Sequence, residues 1–594
     1  MKRTKTLSAL AAALTAGALL LTGCAGDDTS TPTKNNAPQA TSGEMRSDLT
    51  ASELVTLMGN GVNLGNTMEA YGHSANNSQA PSHFETLWGQ PITTQAMVDG
   101  MKAAGFDSMR VPIAWTNAIA YESGDYTIND AYLARVEEII NYGLNAGMYV
   151  IINDHWDGGW WGMFGSKTEA TRTKAMEMYK SIWTQIATRY KNYSDYLIFE
   201  SANEELGDRL NDKDVAKDSG SLSEDQCYET ANLINQTFVD TVRATGGNNA
   251  LRFLLIAGYN TDVQKTVDDR YKMPTDTANA KLLVSVHYYT PWNYCGTDGL
   301  NHWGKIRDYK EQNQLLELLT KFTDAGYGVV LGEYGVLTDG HTPKADTDKF
   351  ISNFLDNCDL YNYCPVLWDC NNLYSRDDGK ILDAGIAELF STRSYTAQKN
   401  LTEQAVKDNA QNRINETLAA APASFDNETA VEADENTAVA WIMYSSADYS
   451  KTYSVGDKYD PASKSDGVVA ENVVIKKAGT YTVSLDFSKS GIAKGVSFSA
   501  LGIFNGEKLF PGYIITIDRI EINGEPFTPQ KDFYTNSDDE NTTRVNLYNS
   551  WVSKAPDDAR TADGSLDNVS PVNLDIGSLA VSKISVTFTY SPGK

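Results

Sequence analysis

Short apolar runs alternate with longer stretches of helical period from residue 61 to residue 418. The runs at 61–64, 108–112, 149–152, 197–201, 253–257, 282–288, 328–332 and 365–368 are largely apolar. A strand covered on both faces reads this way, whereas a half-exposed strand alternates. Between them, 94–104, 130–146, 170–190, 224–245, 309–325, 347–360 and finally 397–418 read as helices. In the second of these, Leu133, Val136, Ile140 and Leu144 mark one apolar face. Gly147, the pair Gly246-Gly247 and Gly326 stand where helices should stop, and Pro112 blocks a helix after the second run. Eight strand–helix units in order predict an α/β fold of the TIM (β/α)8 barrel type. A doubly wound sheet would need fewer strands and a phosphate loop, and no GxGxxG follows the first run.

The pattern changes in the C-terminal third. Residues 480–487 and 515–518 alternate strictly, and the second run continues towards Ile522 and an Asn523-Gly524 hairpin turn. Residues 584–590 alternate again. Many short strands with Gly, Asn and Asp turns predict a smaller all-β sandwich over 439–594, after a polar, acid-rich linker at 421–438.

At the other end, Lys2 and Arg3 precede an apolar stretch at 7–21 and then Leu21-Thr22-Gly23-Cys24. This is a secretory signal over 1–24, not a membrane span. Its ending resembles a bacterial lipobox, which implies that Cys24 carries lipid and becomes the mature N-terminus. Residues 25–46, rich in Thr, Ser, Asn and Pro, read as a flexible linker, and 47–420 form the barrel domain. A secreted, cell-surface protein anchored through Cys24 to the outer face of a membrane is expected.

A chain of 594 residues holds two or three domains. The net charge of −27 repels phosphate and argues against a nucleic-acid partner. The 32 Tyr and 11 Trp suit sugar-stacking surfaces, although aromatic cores give the same count. Five cysteines remain after Cys24: Cys227, Cys295, Cys358, Cys364 and Cys370. The number is odd, so at least one is free or pairs between chains; Cys358, Cys364 and Cys370 lie close enough in sequence for a disulfide among them. There is no CxxC and no HExxH, so neither metal nor cofactor is expected, and the protein is expected to be a monomer.

A barrel keeps its chemistry at the C-terminal ends of its strands. Those ends hold Asn66, Arg110, His155, Asn203 with Glu204, His287 with Tyr289, Glu333 and Trp368. They lie within Asn63-Leu64-Gly65-Asn66-Thr67, Gly105-Phe106-Asp107-Ser108-Met109-Arg110-Val111-Pro112, Val150-Ile151-Ile152-Asn153-Asp154-His155, Ala202-Asn203-Glu204, Val286-His287-Tyr288-Tyr289, Leu331-Gly332-Glu333-Tyr334-Gly335 and Leu367-Trp368-Asp369. In that order the motifs resemble glycoside hydrolase family 5, the large cellulase family. Two positions depart from the pattern: Trp156 stands where the family often has a second His, and Glu205 where it usually has Pro.

The resemblance implies that Glu204 is the acid/base and Glu333 the nucleophile of a retaining hydrolase, provided the two carboxyls lie about 5 Å apart. Glu204 must then hold a proton near neutral pH, so its pKa should be raised by burial and by the charge of Glu333. Arg110 can hold Glu333 ionised, Asn203 can bond the sugar 2-hydroxyl, Tyr289 can donate to the nucleophile, and Trp368 can form a stacking floor. His155 and His287 are hydrogen-bonding imidazoles at the site, and Asn66 is a substrate contact. Trp156, Trp160 and Trp161 are candidate cleft walls, since Gly158-Gly159 argues for an exposed loop. Glu200 shares strand parity with Glu204 but sits deeper, and is read as structural.

The expected activity is endo-cleavage of β-1,4-glucan in plant polysaccharide: cellulose, mixed-linkage glucan or xyloglucan. A β-mannanase on the same fold is the nearer alternative. A non-catalytic, glycan-capturing surface lipoprotein is the other, and the two intact glutamates argue against it. The C-terminal domain is either a carbohydrate-binding module, with Trp441, Tyr444, Tyr513, Tyr548 or Trp551 as platforms, or a spacer packed on the barrel.

Overall fold

A computed structural model describes residues 43–74, 78–296, 302–338, 340–422, 436–448, 450–454, 463–464, 468–489, 491–538 and 541–593. The expected signal segment, Cys24 and most of both expected linkers lie outside the described residues. Eight parallel strands close a barrel in sequence order: β1 Gly61–Asn63, β2 Ser108–Val111, β3 Tyr149–Ile152, β4 Leu197–Glu200, β5 Leu254–Ala257, β6 Leu282–Tyr288, β7 Gly328–Tyr334 and β8 Tyr363–Leu367. Every residue of these strands is buried, which is why their sequence is not alternating.

Helices form the outer ring. Their starts carry side-chain caps: Thr94 accepts from Met97, Asn129 from Ala131, and Ser223 with Gln226 makes a capping box. Two expected helices are each broken in two. The span 309–325 resolves into Ile306–Glu317 and Thr320–Thr323, and 397–418 into Tyr395–Gln398 and Glu403–Ala420. In the second case Thr402 interrupts the run as a new cap, accepting the N–H of Ala405 at 3.1 Å.

Register shifts occur in β6 between Val286 and His287, and in β7 between Leu331 and Tyr334. Such bulges bend a strand and re-aim its side chains. Here they fall at the strand ends that carry His287 and Glu333.

The described residues between 438 and 592 form two larger antiparallel sheets and a two-stranded one, Ala493–Lys494 with Ala580–Val581. One runs Ser463–Lys464, Thr452–Ser454, Ala438–Ser445, Phe498–Phe504, Thr542–Asn549 and Thr535–Asp538, with Val473–Ile475 also paired to Ala438–Ser445. The other runs Val469–Glu471, Gly479–Asp486, Lys583–Pro592, Tyr513–Ile522 and Glu525–Phe527. Their inward residues, among them Ile442, Leu501, Val483 and Val586, share a core separate from that of the barrel.

Two of the expected aromatic platforms are excluded by burial. Trp441 packs over Gly502, where an added Cβ would come within 2.3 Å of the indole. Tyr444 is inside, and its hydroxyl donates to the Gly495 carbonyl. Cys358, Cys364 and Cys370 form no disulfide, and all five described cysteines are free thiols.

Arg252, just before β5, ties the N-terminal ends of the strands together. It is fully buried, and its guanidinium donates to the carbonyls of Ser194, Leu197 and Tyr193 at 2.9, 2.7 and 2.8 Å and to Asn249 Oδ1 at 2.6 Å. Burial and the nearby Arg243 push its pKa down to about 9. Arg252→Met should strand these acceptors away from water and destabilise the barrel by about 3–5 kcal/mol in urea titrations, without altering the pH profile of activity.

Candidate active site

Arg110 is the centre from which the site can be built. It rises from β2 and is fully buried. Its Nε donates to Glu200 Oε2 at 2.7 Å, Nη1 to Asn63 Oδ1 and Glu333 Oε1 at 3.0 Å each, and Nη2 to Asn203 Oδ1 at 2.9 Å. Burial opposes its charge, but Glu200 and Glu333 more than offset that, so it stays cationic. Glu200 is held in turn by Ser285 Oγ of β6 at 2.7 Å, and Asn63 Nδ2 donates to the Gly332 carbonyl at 2.9 Å. One guanidinium thus fixes groups from β1, β4, β7 and the loop after β4.

Glu333 accepts from Arg110 on one oxygen and from the Tyr289 hydroxyl on the other, at 3.1 Å. His287 Nδ1 lies 2.9 Å from Glu204 Oε1 and 3.7 Å from Glu333 Oε2. An oxygen of Glu204, an oxygen of Glu333 and an imidazole nitrogen all fall within 4.8 Å of one another. The structure therefore brings Arg110, Asn203, Glu204, His287, Tyr289 and Glu333 together.

The electrostatics differ from the sequence expectation. Burial does raise the pKa of Glu204, but the hydrogen bond and charge of His287, with Arg209 and Arg110, outweigh it and leave the group below the ordinary carboxylate value. Glu333 moves the other way: burial raises it against the pull of His287 and Arg110. The expectation overlooked the imidazole, whose contact with Glu204 is invisible in sequence. His155 is held well below its usual value by burial and by Arg110, so it is neutral. Its ring lies parallel to that of Trp368, 6.0 Å away, and Trp368 is half-buried.

Trp160 and Trp161 are not cleft walls. Both are fully buried, stacked on each other at 4.5 Å, and Trp161 packs edge-on against Tyr179. Trp161 Nε1 donates to the His155 carbonyl at 3.0 Å, so it supports the site from behind. Gly158 and Gly159 are not signs of exposure either. They take φ of 71° and 75°, and an added Cβ would meet Tyr71 at 2.1 Å or Asp214 at 2.6 Å. Trp156 is half-buried, edge-on to Tyr71 at 5.6 Å. Asn66, at φ 57°, sits in a turn whose N–H groups donate to Glu69, next to Gly65, which packs on Trp368.

Sequence reasoning missed Asn63, Ser285 and Trp292. Asn63 and Ser285 sit inside strands, where a polar residue in an apolar run was the available signal. Trp292 follows β6, is 64% exposed, and meets Tyr289 edge-on at 6.0 Å. An aromatic directly beyond the sixth strand end was the clue.

Glu205 is buried, and burial followed by the charge of Glu204 pushes its pKa up to about 8. A raised carboxyl pKa gives stability that is full below the unfolded value and is lost as pH rises through the folded one. Glu205→Gln lacks this loss. Its unfolding free energy should therefore gain on the wild type between about pH 4.5 and pH 8, by on the order of a few kcal/mol at the upper end, as read by denaturant melts across pH.

Residues 68–373 match the cellulase family, glycosyl hydrolase family 5. Over 368 residues the chain is 33% identical to endoglucanase A of Paenibacillus barcinonensis, a span of 56% of this chain and 85% of that one. It is 33% identical over 356 residues to a xyloglucan-specific endo-β-1,4-glucanase of Bacteroides ovatus, covering 56% of this chain and 68% of the other. Among solved structures, a broad specificity endoglucanase from Ruminococcus champanellensis with bound cellotriose aligns with a TM-score of 0.51 at 32% identity, over 59% of this chain and 99% of that one. Because the matched residues run from the loop after β1 to the loop after β8, they take in the strand ends that converge on Arg110, and the chain belongs to glycosyl hydrolase family 5 as a glycoside hydrolase.

Proposed function

We propose that this protein is an endo-β-1,4-glucanase that cleaves plant glucan with retention, using Glu204 as acid/base and Glu333 as nucleophile. The observation that carries the reading is the pairing of these two carboxylates, with oxygens within 4.8 Å, across His287 and under the clamp of Arg110. A spacing near 5 Å suits direct attack by one carboxylate, since it leaves no room for water on the far side of the sugar.

Glu333 suits the nucleophile because Arg110 and Tyr289 direct N–H and O–H groups at its two oxygens. It attacks C1 as the bond from C1 to the bridging oxygen breaks and Glu204 gives that oxygen its proton. In the second step water attacks C1, Glu204 takes the water proton, and the ester to Glu333 breaks. Both substitutions invert, so the product keeps the starting configuration.

An acid with a lowered pKa can still serve. Glu204 Oε1 and His287 Nδ1 lie 2.9 Å apart. A sugar seated over the carboxyl excludes water, which penalises its charged form and favours the protonated acid. Asn203 spends its carbonyl oxygen on Arg110, and its amide NH2, which also bonds Glu205, has a second N–H for the 2-hydroxyl. Trp368 and neutral His155 supply the floor beneath the reacting sugar.

Cellulose-type chains, mixed-linkage glucan and xyloglucan are the proposed substrates; the endoglucanase and xyloglucanase relatives support this choice over mannan. The polysaccharide is the only partner proposed, for a secreted monomer held by lipid on Cys24 to a membrane's outer face. That localisation rests on the signal-like N-terminal sequence. In the C-terminal domain Trp551, 67% exposed with Phe498 6.0 Å from its ring, is the proposed glycan platform.

Glu333→Gln and Glu204→Ala should each lower turnover of soluble glucan by about a thousandfold or more, with folding unchanged by circular dichroism. Equal reducing-sugar release by Glu333→Gln and wild type would sink the nucleophile. Proton NMR of a cello-oligosaccharide digest should show the β-anomer first; an α-anomer first would mean inversion. Wild-type turnover on mannan above that on glucan and xyloglucan would reverse the substrate choice. Trp292→Ala should raise KM roughly three- to tenfold with little change in kcat, as loss of one stacking contact implies.

A further inference from the structure

Two buried carboxyl groups lie directly behind the site, and the mechanism does not use them. Asp154 precedes His155 in the chain, and Glu205 follows Glu204. They are 0% and 1% exposed. Asp154 is paired with the carboxyl of Asp157 and otherwise meets no hydrogen-bond partner among the described residues, and Glu205 Oε1 meets none. Glu205 Oε2 accepts the backbone N–H of Asn203 at 3.2 Å, and the Asn203 side chain also bonds this carboxyl. The Glu205 carbonyl accepts from the Gly207 N–H at 2.9 Å, so the residue is pinned at both ends.

A carboxylate in such a place would need a cation. The charged groups that face Glu205 are Glu204, which repels it, and Arg209, which draws it down less than burial drives it up. Around Asp154 the charged groups are Asp157 and Glu205, both acids. Asp157 itself is occupied by the N–H and hydroxyl of Thr116. Burial and acidic neighbours therefore push both carboxyls towards the uncharged form, Glu205 to about 8. An uncharged Glu205 keeps its acceptor for Asn203 and adds no negative field beside Glu204.

We propose that Glu205, in its uncharged form and backed by Asp154, is a positioning residue for the acid/base Glu204: by holding the N–H of Asn203 it fixes the turn that carries both Asn203 and Glu204. Arg110 holds the same Asn203 from the cleft side, so this short turn is gripped from front and back. Glu204 has one described partner, His287, and its reach towards the leaving oxygen is set by the turn beneath it.

The inference rests on Glu204 being the acid, and the test separates the two. It compares kcat/KM, which reports steps up to the glycosyl-enzyme, on a cello-oligosaccharide and on 2,4-dinitrophenyl β-cellobioside, whose leaving group needs little protonation. Glu205→Ala should lose about tenfold or more on the oligosaccharide but less than about threefold on the activated glycoside. Glu205→Gln, which keeps the neutral acceptor, should stay within about threefold of wild type on both. Equal losses on both substrates, no loss at all, or a fall of Glu205→Gln alongside Glu205→Ala would overturn the proposal. Glu205→Met, which keeps volume without the acceptor, replaces Glu205→Ala if that variant does not fold; failure of both to fold assigns Glu205 to stability alone and overturns it too. Glu204→Ala is the control. Absence of the leaving-group contrast there overturns the acid assignment and this inference with it, whereas its presence there and absence in Glu205→Ala removes this inference alone.

Discussion

A single buried cation sets the geometry of this protein's working face. The Arg110 guanidinium has five N–H groups in a planar fork, and the barrel offers acceptors for them from Glu200, Asn63, Asn203 and Glu333. Removing such a charge from water costs several kcal/mol, and only the full set of partners repays it. The dependence also runs the other way. Glu333 cannot be a dry carboxylate without Arg110, and Asn203 cannot turn its amide N–H to the cleft unless its oxygen is occupied. Lys in this place would supply the charge but not the planar fork, and could not hold all four partners in one plane.

Around that fixed point the titratable groups divide into three kinds. Glu333 is tied to a permanent cation. Glu204 is tied instead to the imidazole of His287, 2.9 Å away. Asp154 has only acids beside it, and at Glu205 burial outweighs the pull of Arg209. A hydrolase of this type needs one fixed charge, one exchangeable proton and no stray field between them, and burial with hydrogen bonding provides each of these separately. Glu204 and Glu205 are adjacent in the chain and chemically alike, yet burial and the charge of Glu204 raise Glu205 while the imidazole lowers Glu204.

The barrel was legible because its strands are buried on both faces, so that Tyr149–Ile152 or Leu254–Ala257 cannot be mistaken for amphipathic helix. The acids at the ends of β4 and β7 were legible for the same reason, once the strand ends were known. Glu200 was correctly read as structural from its depth, but its bond to Arg110 could not be seen. Helix breaks at Thr402 and after Glu317 escaped because apolar spacing continues across them. The bulges in β6 and β7 escaped because a bulge is a property of two paired strands, not of one sequence. The contact of His287 with Glu204 depends on those bulges, and with it went the sign of the Glu204 shift.

The reading of Gly158-Gly159 failed for an instructive reason. A glycine pair beside three tryptophans looks like a mobile loop over a cleft. Here the glycines are present because the backbone passes so close to Tyr71 and Asp214 that no Cβ fits, in a conformation that side chains resist. That close pass drives Trp160 and Trp161 inward, under the loop that follows β3. Trp161 then holds the carbonyl of His155, and the His155 ring lies parallel to that of Trp368. The buried cluster meets the site through His155, and the rings left open near it are half-buried Trp368 and exposed Trp292, edge-on to Tyr289.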